Sequence, residues 1–140
     1  GDIAPPFEAR TLDGNDVRLA DFRGGFVLLN FWSPVFNPEV DRLKELHAAY
    51  GPTGQLQIIG LGGTDTLEEV KDYVEEHDIE WPQVYLGETW EDGVAGRYGL
   101  PGLAYILLID PEGKIVATWL RGETLTDTVR EALGTVPSAR

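Results

Sequence analysis

FVLLNFWSPVFNPEVDRL, residues 26–43, is the stretch on which the fold turns. Its first seven residues form an almost continuous apolar run, the composition of a strand covered on both faces by helices in a parallel or mixed sheet. Gly24-Gly25 launches the run and Pro34 closes it. Asn37 suits a helix cap, with Pro38 at the first helical position, where its missing N–H is not needed. Val40, Leu43, Leu46 and Tyr50 then recur at helical spacing up to Gly51-Pro52. A strand end, a proline turn and a helix start have the outline of an active site. No residue among them is an evident nucleophile.

Working outward, residues 7–18 hold two short extended pieces around Asp13-Gly14-Asn15-Asp16, a hairpin turn by composition. Residues 55–61 read as a second apolar strand. Thr66-Leu67-Glu68-Glu69 is a capping box that opens a helix to about His77. A short strand is predicted over 81–86, a short helix over 90–98, and a hairpin from 105–110 and 115–119 across Pro111-Glu112-Gly113. Thr124-Leu125-Thr126-Asp127 is expected to cap a last helix through Leu133. Strands alternating with helices make the chain α/β, and nothing in its 140 residues marks a second domain.

The bulk numbers exclude several functions. Acidic residues outnumber basic ones by 24 to 11, a formal charge of −13. Nucleic acid and anionic membrane surfaces both require Lys and Arg, so neither is an expected partner. Apolar residues are 42% of the chain, with no run of the roughly 18 that a membrane span needs. Cysteine and methionine are absent. There is therefore no disulfide, thiolate nucleophile or thiolate metal site, and the lack of Met suggests a processed or excised form.

Taken together, the motifs resemble the TlpA/ResA-like branch of the thioredoxin superfamily, with the peroxiredoxins as next of kin. Gly1-Asp2-Ile3-Ala4-Pro5-Pro6-Phe7, Leu12-Asp13-Gly14 and Leu19-Ala20-Asp21-Phe22-Arg23-Gly24 are similar to the family's opening. Leu29-Asn30-Phe31-Trp32 is similar to the strand leading into its active site. Tyr98-Gly99-Leu100-Pro101-Gly102, Leu107-Leu108-Ile109-Asp110 and Gly113-Lys114-Ile115 are similar to its second hallmark. The resemblance implies a thioredoxin-like fold: a central mixed β-sheet flanked by helices on both faces, with an N-terminal β-hairpin extension. It also implies an extracytoplasmic thiol–disulfide oxidoreductase ancestry.

The departures fall on the chemistry. In the family, Phe-Trp is followed by Trp-Cys-x-x-Cys; here Val35 stands at that Trp, Phe36 at the nucleophilic Cys and Glu39 at the resolving Cys. The family acid becomes Arg42, and the cis-proline position becomes Ala104, where a trans peptide is expected because a non-proline cis bond costs roughly 3 kcal/mol or more. No catalytic residue is left at these positions. Glu39 and Arg42, three apart on a helix, are expected either to pair or to be two solvated side chains. Trp32, Val35, Phe36, Leu103 and Ala104 are expected to converge where the family holds an extended peptide. Either they form an apolar binding groove, or Phe36 folds inward to fill the space of the missing Trp.

Other candidates yield less. Gly60-Leu61-Gly62-Gly63-Thr64 lacks both the third Rossmann glycine and a P-loop Gly-Lys pair, so it reads as a turn. His47 and His77 read as solvated helix histidines without a ligand set, so neither a metal nor a cofactor is expected. Ser33 lacks a nucleophile-elbow context, and residues 13–16 lack a calcium loop's closing Glu. The expectation is thus a redox-inactive thioredoxin-like module that binds a protein or peptide. The alternatives are an oxidoreductase whose cysteines were replaced, a purely structural part of a larger envelope protein, or non-thiol chemistry at Glu39.

Overall fold

Three apolar segments dictate the centre of the protein. A computed structural model describes residue 3 and residues 8–32, 39–62, 66–85 and 105–134. Within it, β1 (Glu8–Arg10) and β2 (Asp16–Arg18) form the predicted N-terminal hairpin. A five-stranded sheet follows, from β3 (Phe26–Trp32), β4 (Leu56–Gly62), β5 (Gln83–Tyr85), β6 (Tyr105–Ile109) and β7 (Ile115–Ala117), in the order β5-β4-β3-β6-β7. β3 runs parallel to β4 and β4 to β5, while β6 and β7 are antiparallel to their neighbours. The sheet is mixed, and the fold is α/β and thioredoxin-like, as expected. Every residue of β3 is buried, which accounts for its lack of alternation.

The helices are α1 (Val40–Tyr50), α2 (Leu67–Glu76) and α3 (Gly122–Gly134). Parallel crossovers are right-handed, so two steps in the same direction, β3 to β4 to β5, put α1 and α2 on the same face. Leu43 and Leu46 of α1, Tyr73 and Val74 of α2, and Leu125, Val129 and Leu133 of α3 pack there with Leu28, Ile58, Ile106 and Leu108. On the other face the described residues that pack against Leu29, Phe31, Ile59 and Leu107 are Val17, Leu19 and Phe22, from β2 and the 3-10 turn at Leu19–Phe22. The helix predicted over 90–98 lies outside the described residues.

The N-terminal segment reaches both outer strands. Ile3 forms an antiparallel bridge with Lys114 beside β7, and Thr11 forms one with Val84 of β5. The Leu12 N–H adds a bond to the Gln83 carbonyl at 2.9 Å.

Several expectations are corrected in detail. The capping box of α2 is present, with the Glu69 N–H on Thr66 Oγ1 and the Thr66 N–H on Glu69 Oε1. The cap expected at 124–127 is not where α3 starts: the helix opens at Gly122, and Thr126 Oγ1 instead donates to the Glu123 carbonyl at 3.0 Å. Gly60 lies in β4, within the strand expected over 55–61, and Gly62 extends that strand by one residue into the stretch read as a turn; Gly63 and Thr64 lie outside the described residues. A Cβ at 60 would run into the Gln83 carboxamide, and one at 62 would press on Val70 Cγ1 at 3.1 Å. Strand β7 stops at Ala117 instead of 119, because Trp119 takes the left-handed φ of 57°.

Candidate functional site

β3 ends and α1 begins on either side of residues 33–38, part of the stretch that the sequence singled out, and β6 begins directly after residue 104. Of the predicted site residues, Trp32, Glu39 and Arg42 are described; Val35, Phe36, Leu103 and Ala104 lie outside the described residues, as do Ser33, Asn37 and Pro38.

Trp32 ends β3 with its side chain wholly buried. Its indole Nε1–H donates to Gln83 Oε1 at 2.9 Å, and its ring lies 4.9 Å from that of Tyr73. A buried Trp N–H usually finds such a partner, and Gly60 makes room for the Gln83 amide to supply it. Trp32 was expected among the groove side chains; it is wholly buried and offers no exposed surface.

Glu39 was expected inside the first turn of α1. The helix begins at Val40, and Glu39 flanks it with φ −99° and ψ 8°, outside helical geometry. Its carbonyl accepts the first helical bond, from the Leu43 N–H at 3.0 Å. The side chain makes no bond to its own helix. It turns to α3 instead: the Gly122 N–H lies 2.8 Å from Oε1 and 3.1 Å from Oε2. The carboxylate thus satisfies a donor at the N-terminus of α3, where the helix dipole favours negative charge. This replaces the local cap expected from Thr124. The expected partner, Arg42, is near as well, with Nε at 3.8 Å from Oε1, longer than a hydrogen bond. Glu39 is only 9% exposed, so it is not a solvated side chain.

Tyr105, Trp119 and Arg121 were not foreseen. Tyr105 directly follows the Ala104 position, and its ring meets Trp119 edge-on at 4.6 Å. Trp119 is 47% exposed, with the Arg121 guanidinium 5.8 Å from its ring centre. The expected hairpin of 105–110 and 115–119 already held the clue, since continuing the Ile109–Ile115 register sets 105 opposite 119; the shift at Leu108/Ile109 offsets the two by one residue.

The histidines are packed and not simply solvated. His77 stacks on Tyr73 at 4.0 Å, and His47 sits 5.5 Å from the Trp81 ring and 3.8 Å from Glu80 Oε2. Among the described residues no three His, Asp or Glu side chains converge as a metal site. A cavity of about 360 Å³ between the hairpin turn and residues 79–83 has none of the predicted site residues in its lining. No helix among the described residues is long and apolar enough to cross a membrane.

Known proteins place this arrangement. Residues 1–118 match the AhpC/TSA family. Over 136 residues the chain is 32% identical to the thiol-disulfide oxidoreductase ResA of Bacillus thuringiensis subsp. konkukian, covering 95% of this chain and 76% of that protein. The thioredoxin domain of a thiol-disulfide oxidoreductase from Bacteroides vulgatus superposes with a TM-score of 0.84 at 36% identity, covering 94% of this chain and 95% of that one. A thiol:disulfide interchange protein from Bacteroides sp. gives 0.85 at 33% identity, covering all of this chain and 93% of its own. With the sheet order in place, these likenesses decide the kinship: the chain belongs to the AhpC/TSA family, as a ResA-like, thioredoxin-fold member that has no cysteine.

Proposed function

We infer that this chain is a thioredoxin-type binding or accessory module that does not itself exchange thiols and disulfides. The observation carrying this reading is the chemistry at two positions: Phe36 and Glu39 stand where the resemblance puts the family's cysteines, and no cysteine occurs in the 140 residues. Exchange proceeds by thiolate attack on a disulfide sulfur, and neither side chain offers a sulfur. Glu39 is also a poor candidate for another chemistry. Its carboxylate is engaged by the Gly122 N–H and has Arg42 beside it, whereas a general base must reach a substrate proton. The partner is a protein or extended peptide lying along Val35, Phe36, Leu103 and Ala104. The module works outside the cytoplasm, a placement that rests on kinship alone.

A second reading is favoured by the relatives, which carry the name thiol-disulfide oxidoreductase. On that reading the fold retains the family's reaction wherever cysteines stand at 36 and 39.

Two measurements separate these readings. In a dithiothreitol-coupled insulin reduction assay, the chain is expected to match the uncatalysed rate; turnover above that rate overturns the first reading. The Phe36→Cys, Glu39→Cys variant reports on the second, which needs a clear gain in rate. For the partner, affinity capture compares the chain with a folded Phe36→Asp, Leu103→Asp variant. A protein held by the first and lost by the second is the expected result. Identical captures, or none, remove the groove and leave a structural role.

A further inference from the structure

Residues 119–122 contain two left-handed backbones, Trp119 at φ 57° and Gly122 at φ 58°. Glycine adopts this conformation freely, but a bulky side chain does so only against a steric cost, and such geometry persists where neighbours over-determine it. Three contacts do so here. The buried Leu120 sends its N–H to the Ile106 carbonyl at 3.1 Å, rejoining β6 after the Trp119 irregularity. Tyr105 meets the Trp119 ring edge-on. The Gly122 N–H is held by both oxygens of Glu39. The first two contacts come from the adjoining strand; the third comes from 83 residues away, at the start of α1.

The geometry points to a latch. Glu39 holds residues 119–122 against the end of the sheet and so fixes the half-exposed Trp119 beside Tyr105. A carboxylate is suited to this, since it accepts a charge-assisted bond and meets the positive end of α3. A thiol at position 39 would be a far weaker acceptor, so the change from cysteine to glutamate carries a gain in connection between α1 and α3 along with its loss of chemistry. Glu39 follows directly on residues 33–38, and Tyr105 on residue 104, the two segments to which the groove is assigned. If a partner binds along those segments, the latch holds in place the two described residues, Glu39 and Tyr105, that adjoin them. This consequence for binding rests on the groove reading; the latch itself does not.

The test is amide hydrogen exchange and ring-to-ring NOE measurement on the full chain without any partner. A failed latch and a failed groove are thereby read separately. In Glu39→Ala the Gly122 amide is expected to exchange faster by on the order of tenfold or more, the measure of a lost bond to a charged acceptor. The Trp119–Tyr105 NOEs should weaken while those between β3 and β4 stay. Glu39→Gln keeps one carbonyl oxygen and should fall between. Arg42→Ala should leave both readouts at their starting values. Unchanged exchange and NOEs in the Glu39 variants overturn the latch, as does an Arg42→Ala effect equal to that of Glu39→Ala. If Glu39→Ala does not fold, Glu39→Gln decides, with faster Gly122 exchange supporting the latch and an unchanged rate removing it.

Discussion

Glu39 shows what a single side chain contributes once its chemistry has changed. Its buried carboxylate bonds a backbone donor, and losing such a bond leaves the Gly122 N–H without its acceptor. Glu39→Ala is expected to lower unfolding free energy by about 1–3 kcal/mol, read from urea denaturation. Arg42 sits at 3.8 Å with its side chain 37% exposed, so solvent screens most of its attraction. Arg42→Ala should cost less than about 1 kcal/mol, and a larger loss would make the ion pair the main tie. Position 39 was legible as an acid near the start of α1, because residue type and helix periodicity are local properties, but not as a residue that flanks the helix instead of entering its first turn. Its partner was not legible, since nothing in the sequence links it to a glycine 83 positions later. Trp32 carries the same lesson. An aromatic at the end of a strand looks like surface until Gln83 is known to meet its indole N–H.

At the scale of elements, Gly60, Gln83 and Trp32 form one packing unit across β4, β5 and β3. Gly60→Ala places a methyl group in the space of the Gln83 amide and forces that amide off the indole. Overpacking of this kind costs about 1–3 kcal/mol. Adding Gln83→Ala should recover part of the loss, so the double variant's ΔΔG will be smaller than the sum of the two singles. Strict additivity in thermal or urea unfolding would refute the coupling. Elements stabilised locally were the readable ones: the capping box of α2 and the apolar run of β3 contain their own causes. Boundaries set by tertiary contacts were misread. α3 starts two residues before its expected cap, where Glu39, the residue flanking α1, supplies an acceptor. β7 ends two residues early, and Trp119 beyond it takes a left-handed backbone that no local pattern predicts.

Over the molecule as a whole, charge works against compactness. With a net charge of −13, like charges repel at close quarters, and salt screens them over a Debye length of about 10 Å at 0.1 M. The melting temperature should rise steadily from 10 mM to 0.5 M sodium chloride; a fall would mean that ion pairs such as Arg10–Asp16 and Arg18–Glu8 outweigh repulsion. The reach of the N-terminal segment to β7 at Ile3 and to β5 at Thr11 has a further consequence. Outer strands with free N–H and C=O groups recruit strands from other molecules, and here one early segment bonds to both. Shortening the chain past Thr11 should therefore show itself first as aggregation of folded protein, visible in light scattering at temperatures where circular dichroism still reports a native sheet. A shortened chain that stays monodisperse would show that the rims are protected by something other than their strap.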